Sequence, residues 1–543
     1  MSVRVQERPG RVAPTRAGVR DARGWGVIAG PAVLAAVLSL IGLSGRSLGF
    51  DEGATASIAA QHGAALWRAI AHDGGNMSAY YLLVHVLIGV FGNGVVLLRL
   101  PSVIATVATA ALIAVIAERL FTDRRVTAAA GVLAAVSLPL IYWGQTARGY
   151  ALMVAFVCAA MVAFIDLVDT GSGAAGGARA AAAAASARRG PWLGFVAAMT
   201  LAMYCSFVAA LVIPAQVLAV LARRGAARRY ASALVAAAIL CVPLAVLAVR
   251  RGSGQLFWVQ PPSRMVDTQV LQSLTSAGLQ PVFHHSFTTK AVMWVTLAAV
   301  VGLVADTVAR RRRGEPVWGM GLVLSWCVLP GALTFLYSVI SHPVLVPRNV
   351  LMSTPAVGLA LAPALGRRRW PRSLAPALLV VVLAARAIPV VHASGVSPEP
   401  WQAVTARVLA ESRPGDCVTF YPADARMAFQ YYVGTGAATR RAPRAVLPVI
   451  AWGVVRPFVE DYAVPSPATL AGRTAGCQRM WLVSSHEGQR NGPPQARANR
   501  ARWFRLAGEL ERRFGSGPVA KYGYASIIHV QLMPGAQGRS VKP

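Results

Sequence analysis

The sequence predicts a polytopic α-helical membrane protein of about eleven spans with a C-terminal extracytoplasmic α/β domain. Three observations carry that prediction. Apolar runs of about 20 residues, each enough to cross ~30 Å of hydrocarbon as a helix, recur from Trp25 to Val391. Arginine clusters punctuate those runs. After about Ser394 the runs stop, and short strand-like segments alternate with helical ones. A chain of 543 residues that is 55% hydrophobic and only 14% charged exceeds what one soluble core can bury, so lipid must solvate most of it.

The net charge of +32 raises nucleic acid as a partner, and its distribution excludes it. The arginines gather in short loops: "ERLFTDRR" (118–125), "ARRG" (187–190), "ARRGAARRY" (222–230), "ARRRRGEP" (309–316) and "GRRRWPRS" (366–373). Short basic loops between apolar runs mark the cytoplasmic side. A nucleic-acid reader interleaves aromatics with charge on a soluble face, and no stretch here does.

Those clusters thread the chain. The basic tail (residues 1–24, with Arg4, Arg8, Arg11, Arg16 and Arg20) is inside, and the apolar run after it reads as a retained first helix, roughly 25–44. The next loop, 45–97, is then outside with "LGFDEG". Run 101–118 ends on a basic cluster and runs inward, so "SAYYLLVHVLIGVFG" (78–92) reads as a helix lying at the outer surface. Residues 191–222 have arginines on both flanks and read as two short spans with an outer turn near "YCSF" (204–207). Further spans fall near 126–143, 148–168, 231–250, 290–308, 317–339, 349–366 and 373–392, with the longest outer loop at 251–289. The transmembrane domain is thus 25–393, N-terminus in and C-terminus out. The low-complexity stretch 169–190 reads as a cytoplasmic linker.

The outer domain, 394–543, is expected to carry strands in "PGDCVTFYP" (414–422), "RMWLVSS" (479–485) and "ASIIHVQLMP" (525–534), and an amphipathic helix at 495–514. Cys417 and Cys477 are its only cysteine pair, in a compartment that permits a disulfide. The other four cysteines fall in apolar spans and read as packing residues.

The threading brings a set of polar residues to the outer membrane edge. Asp51 and Glu52 follow the first span, Arg148 precedes the "YAL" run, and Arg348 sits in "SHPVLVPRN" (341–349). Charge at this depth is costly unless it is paired or faces a watery cavity. A carboxylate can deprotonate a hydroxyl nucleophile, and a guanidinium can grip a phosphate with two prongs. Together they point to transfer between a phosphate and an alcohol. Each residue also has a structural reading: Asp51 as a helix cap, Arg148 as a snorkelling side chain, and Arg99 as the residue that fixes the turn back into the membrane. Tyr81 and Tyr150 suit an interfacial aromatic belt. His85 and His342 are isolated, and two isolated histidines do not make a metal site.

In order and spacing, "FDEG", "GGNMSAYYLLVHVL", "LRLPSVIATV", "YWGQTARGYAL" and "VPRNVLMSTPAV" resemble the segments of GT-C membrane glycosyltransferases. The branch they resemble contains the protein O-mannosyltransferases and lipid A aminoarabinose transferase (glycosyltransferase family 39-like). The resemblance covers roughly residues 25–220, plus 346–357. It implies a polyprenyl-phosphate sugar donor, an extracytoplasmic acceptor (cell-wall glycan, lipid or protein), and an inverting single displacement. In it Asp51 and Glu52 form the catalytic acid pair, with Asp51 as general base, while Arg148 and Arg348 hold the donor phosphate. Asn76, Tyr81, Tyr150 and His342 are further substrate-binding candidates. This chain departs from the family pattern at Asn76-Met77-Ser78, which replaces His-Pro-Pro, and at Arg348-Asn349, which replaces Arg-Tyr. No cofactor is named by the residues, and use of a divalent metal stays open. The alternative function is a transporter or flippase of polyprenyl-linked substrates; a third is a non-catalytic assembly protein. Transporters show related halves with interrupted spans at matching positions, and the large asymmetric first loop favours an enzyme.

Overall fold

The computed structural model describes residues 22–121, 123–169, 178–252, 256–275, 287–365, 388, 391, 396–434, 437–524 and 526–535. Two bodies of secondary structure follow one another. The first is helical: α1 (Ala22–Leu40), α2 (Phe50–Ala59), α3 (Gly63–His72), α4 (Ser78–Phe91), α5 (Val95–Leu120), α6 (Arg124–Ala135), α7 (Leu138–Gly144), α8 (Tyr150–Asp169) and α9 (Ala178–Cys205). It continues with α10 (Ile213–Leu221), α11 (Ala227–Leu240), α12 (Val242–Arg251), α13 (Arg264–Leu274), α14 (Phe287–Arg312), α15 (Trp318–Ile340) and α16 (Thr354–Leu365). The second is a five-stranded sheet with helices on both faces.

Among the described residues, α5, α8, α14 (from Lys290) and α15 are each long and apolar enough to cross a membrane, and two bent pairs, α6–α7 and α11–α12, would make six. Shorter apolar helices occupy Trp25–Leu40, Ser78–Phe91 and Phe207–Leu221. At 14 residues, α4 rises about 21 Å, short of a hydrocarbon core. The break expected near 204–207 falls at Ser206, between α9 and a 3₁₀ turn at Phe207–Val212. One expectation is corrected. Residues 178–190, read as linker, are the first turns of α9, because an alanine run has the highest helix propensity of any composition. The expected span at 373–392 lies, apart from two single residues, outside the described residues, as do most of the basic tail and residues 170–177 of the linker.

Helices α1, α5, α6, α8 and α9 share one continuous apolar core, with Ile113, Ile116, Met153, Phe164 and Phe195 fully buried. The second body has strand order β2-β1-β3-β5-β4: β1 (Cys417–Tyr421), β2 (Arg444–Leu447), β3 (Met480–Ser484), β4 (Val519–Tyr522) and β5 (Ile528–Met533). Strands β2, β1 and β3 run parallel, and β5 and β4 are antiparallel additions. Every residue of β1 and β3 is buried, as expected for parallel strands covered on both faces. Side chains alternate: Val418, Phe420, Trp481 and Val483 enter one core, while Cys417, Met480 and Leu482 enter the other. The three expected strands and the helix Pro494–Phe514 are all present. β2 escaped notice because it is four residues between Pro443 and Pro448; β4 because it is a short, half-exposed edge. Cys417 and Cys477 are disulfide-bonded.

The two bodies join through α2. Phe50 and Ala54 belong to the core of the sheet domain, packed with Trp401, Ala428 and Phe429. Contact is closest at Gly53, where an added Cβ would lie 2.9 Å from both Cα and Cβ of Ala428. Only glycine fits. Gly53→Ala is therefore expected to force α2 away from the helix Ala425–Val433, costing about 1–3 kcal/mol as overpacking does. A fall in the midpoint of thermal denaturation checks this, and an unchanged midpoint counts against so tight a seam.

Candidate active site

Helix α2 starts at Gly49 and carries Asp51 and Glu52 in its first turn, where a helix N-terminus favours negative charge. Successive helical residues point about 100° apart, and the two acids meet opposite environments. Glu52 turns inward and is 6% exposed. Its carboxylate accepts from Arg99 Nε at 2.9 Å and Nη2 at 2.8 Å, from the Ala147 amide at 2.7 Å and from the Gly49 amide at 3.1 Å. Arg99, 1% exposed, also donates to the carbonyls of Leu43, Arg46 and Ser47 at 2.7, 3.1 and 3.2 Å. Burial pushes the Glu52 pKa up, but Arg99 and the Ala147 amide outweigh it and hold the group ionised.

Asp51 turns outward, its side chain 48% exposed. Its Oδ2 lies 3.2 Å from Arg348 Nη1 and 3.9 Å from Arg148 Nη2. Arg148 Nη1 reaches the Asp51 carbonyl at 3.3 Å and the hydroxyls of Thr55 and Tyr81 at 3.4 Å each. Tyr81 in turn donates to Asp73 at 2.8 Å. Arg348, in the 3₁₀ turn Pro347–Ser353, lies 4.6 Å from the centre of the Trp258 ring and 5.9 Å from that of Tyr150. Burial raises the Asp51 pKa, and the guanidiniums of Arg148 and Arg348 overcome that and hold it below the usual carboxylate range.

Asp73 and Asn76 are placed by a turn that glycine makes possible. Gly74 and Gly75 have φ of +71° and +75°, and Met77 follows at +59°. A Cβ on Gly74 would press on the Arg251 stem, and one on Gly75 on Leu244 and Leu247 of α12, so the turn is both left-handed and close-packed. Asn76 lines the cavity, and its Oδ1 is buried with no hydrogen-bond partner among the described residues.

Asp51, Glu52, Asn76, Tyr81, Arg148, Tyr150 and Arg348 all line one cavity of about 1770 Å³. His342 does not; it is exposed and bonded to the Ser341 hydroxyl at 3.0 Å. The sequence reading missed the other half of the cavity wall, which the sheet domain supplies. Glu399 caps α2 by accepting from the Phe50 amide at 2.5 Å. The His486 ring lies 4.5 Å from that of Phe50, and its Nε2 is 3.7 Å from Glu399. Glu487 and His529 stand beside them. One signal could have found this wall. "SSHEG" (484–488) follows the carboxyl end of a parallel strand, where open α/β sheets place their sites.

The donor set does not fit a divalent cation. Asp51 faces two guanidiniums, which would repel one, and among the described residues no three His, Cys, Asp or Glu side chains converge as a metal site.

No family model and no curated protein sequence matches this chain. Solved structures do match it in fold. ArnT from Cupriavidus metallidurans superposes with a TM-score of 0.56 in the apo state and 0.54 bound to undecaprenyl phosphate, at 15% identity over 94% of this chain and 98% of that one. The Archaeoglobus fulgidus oligosaccharyltransferase AglB, in complex with an inhibitory peptide and a dolichol-phosphate, superposes with a TM-score of 0.51 at 13% identity, over 95% of this chain and 75% of that one. Another structure of the archaeal enzyme is a complex with Zn and sulfate, with a TM-score of 0.51 at 12% identity over 93% of this chain and 72% of that one. At such identities the likeness is one of fold, which this chain shares with ArnT and AglB over nearly its whole length.

Proposed function

We propose that this chain is a membrane glycosyltransferase that moves a sugar from a polyprenyl-phosphate donor to a hydroxyl of an extracytoplasmic acceptor. The observation that carries the reading is the Asp51 carboxylate held between Arg348 and Arg148 on the wall of the large cavity. The undecaprenyl phosphate bound to ArnT and the dolichol-phosphate in complex with AglB support the donor class. The cavity lies between a transmembrane domain of residues 25–393 and an outer domain of 394–543, with the N-terminus inside.

The acceptor oxygen attacks the anomeric carbon as the bond from that carbon to the phosphate oxygen breaks. The polyprenyl phosphate leaves with the electron pair, held by the guanidiniums of Arg148 and Arg348. The acceptor proton goes to Asp51, and the anomeric centre inverts. Glu52 is a positioning residue, since four donors already occupy its carboxylate.

With no donor bound, both arginines hold Asp51 in its ionised form, which makes it a weak base. An incoming phosphate takes over those guanidiniums, and the carboxylate then regains basicity next to the acceptor. The sign follows directly. A lowered pKa keeps Asp51 charged until the pH falls below the usual carboxylate range, and loss of the cations moves that limit up. The acid limb of kcat, which reports the donor complex, is therefore expected at higher pH than the acid limb of kcat/KM for the donor, which reports the free enzyme. Arg348→Ala should raise the kcat/KM limb. Coincident limbs in the wild type would remove this account.

The test of function is incubation of the purified protein with radiolabelled polyprenyl-phosphate sugars and membrane extract, followed by identification of the labelled product. A transporter would move the lipid-linked sugar and form no product. In the same assay Asp51→Asn should lower turnover by about 10²–10⁴-fold and leave stability intact. Glu52→Gln should instead destabilise the fold by about 3–5 kcal/mol, because it strands Arg99 as a buried charge. Normal turnover by Asp51→Asn would make that residue a helix cap. For the orientation, a cysteine placed at His62 should react with an impermeant maleimide from outside, and one at Ala227 should not; the reverse pattern discards the donor class as well.

A further inference from the structure

The sheet-domain wall of the cavity carries polar groups to which the transfer step gives no role. Glu487 is 7% exposed, and its Oε1 accepts from Ser484 Oγ at 2.6 Å and pairs with His529 Nδ1 at 2.6 Å. Among the described residues nothing bonds Glu487 Oε2 or His529 Nε2. With Nδ1 engaged by Glu487, the other ring nitrogen of His529, Nε2, is left for a hydrogen bond to a ligand in the cavity. Arg500 lines the same wall, its guanidinium 5.1 Å from the centre of the Phe504 ring, and no carboxylate or carbonyl among the described residues engages it.

The backbone is shaped to bring these groups together. Gly488 has φ of +94°, and a Cβ there would collide with the Ala496 carbonyl and the Arg500 amide. The segment after β3 can therefore lie directly on the first turns of the helix Pro494–Phe514, which sets Gly488, the residue after Glu487, against the backbone of Arg500. One residue on, Gln489 accepts from Gln260 at 3.1 Å and donates to the Trp258 carbonyl at 3.3 Å. The wall is thereby tied to the loop whose Trp258 packs on Arg348.

The composition of the wall selects its ligand. Arg148 and Arg348 offer concentrated positive charge, suited to phosphate. Glu487 repels an anion, and Arg500 repels a cation. A carboxylate oxygen, an imidazole nitrogen and a guanidinium together present acceptors and donors, the pattern that the hydroxyls of a sugar ring satisfy. Tyr462 and Phe257 add an aromatic, edge-to-face pair at 5.5 Å on the same cavity. We infer that Glu487, His529 and Arg500 form the acceptor subsite, and that it takes a neutral carbohydrate. This rests on the glycosyltransferase reading, of which it names the acceptor.

The test is saturation-transfer NMR on the full chain in nanodiscs, with methyl mannoside, methyl galactoside, methyl arabinofuranoside and methyl glucuronide as probes, alongside titration with undecaprenyl phosphate. The wild type should bind at least one neutral glycoside, more tightly than the glucuronide. His529→Phe, which keeps a ring and removes both nitrogens, and Arg500→Leu should each weaken that binding about tenfold. Affinity for undecaprenyl phosphate should stay within about twofold, which also shows that the variants fold. No neutral glycoside bound, glucuronide preferred, or binding unaltered in both variants would each overturn the subsite. A wild type that binds the glycoside but not undecaprenyl phosphate would instead overturn the donor reading and leave the subsite standing.

Discussion

The Glu52–Arg99 ion pair is the constraint on which the site depends. It is buried, forked and fully bonded: two nitrogens of Arg99 meet the carboxylate, and the rest of the guanidinium closes on three carbonyls at the exit of α1. Two desolvated charges are a poor source of net stability, but removing one strands the other at high cost. What the pair supplies is geometry. It fixes α2 against α5 and, through the Ala147 amide, against the residue just before Arg148. The position of Asp51 relative to Arg148 is thus set by its neighbour.

That arrangement explains why two acids stand side by side. On a helix, adjacent residues cannot share one environment, so the dipeptide divides into an anchored carboxylate and one open to the cavity. On the proposed reaction, Asp51 is held by charges that the donor phosphate would also bind, which would couple the basicity of the site to the presence of a donor. A single acid could not both lock the loop and remain open to a proton.

The sequence showed charge at the edges of apolar runs, and that was enough to bring Asp51, Arg148 and Arg348 together across nearly 300 residues. Charge near lipid is expensive wherever it occurs, so its placement reads directly from hydropathy. Arg99 was legible as the residue fixing a turn, though its partner was not. Of the sheet-domain wall only "SSHEG", after an expected strand, left a sequence signal. Glu399, His486 and Glu487 sit in loops with no hydrophobic period, and Glu399 and His486 reach α2 only through contacts spanning 349 residues or more, such as Glu399 to the Phe50 amide. His342 lies off the cavity for the opposite reason: it shares a loop with Arg348, yet it is exposed. The β2 and β4 strands were too short, and too flanked by proline or exposed, to give a periodic signal.

The cavity consequently belongs to neither body alone. Besides the Gly53–Ala428 contact, the first loop is pinned to the sheet domain at several points: Ser57 bonds the Arg456 carbonyl, the Leu48 amide meets the Tyr432 hydroxyl at 2.6 Å, and the Ser47 amide meets Ser397 at 2.7 Å. On the far side Arg251, at the end of α12, pairs with Glu460. These ties bracket the cavity between a membrane-side wall of arginines and a sheet-side wall of carboxylates, imidazoles and Arg500. A reaction that moves a sugar from a lipid-borne phosphate to a water-borne hydroxyl, as proposed, needs two such unlike walls facing each other, held at a fixed separation. A helical bundle alone can present the first, and a small α/β sheet alone the second. Their junction at α2, one helix turn long where it carries the acids, is where the two chemistries meet.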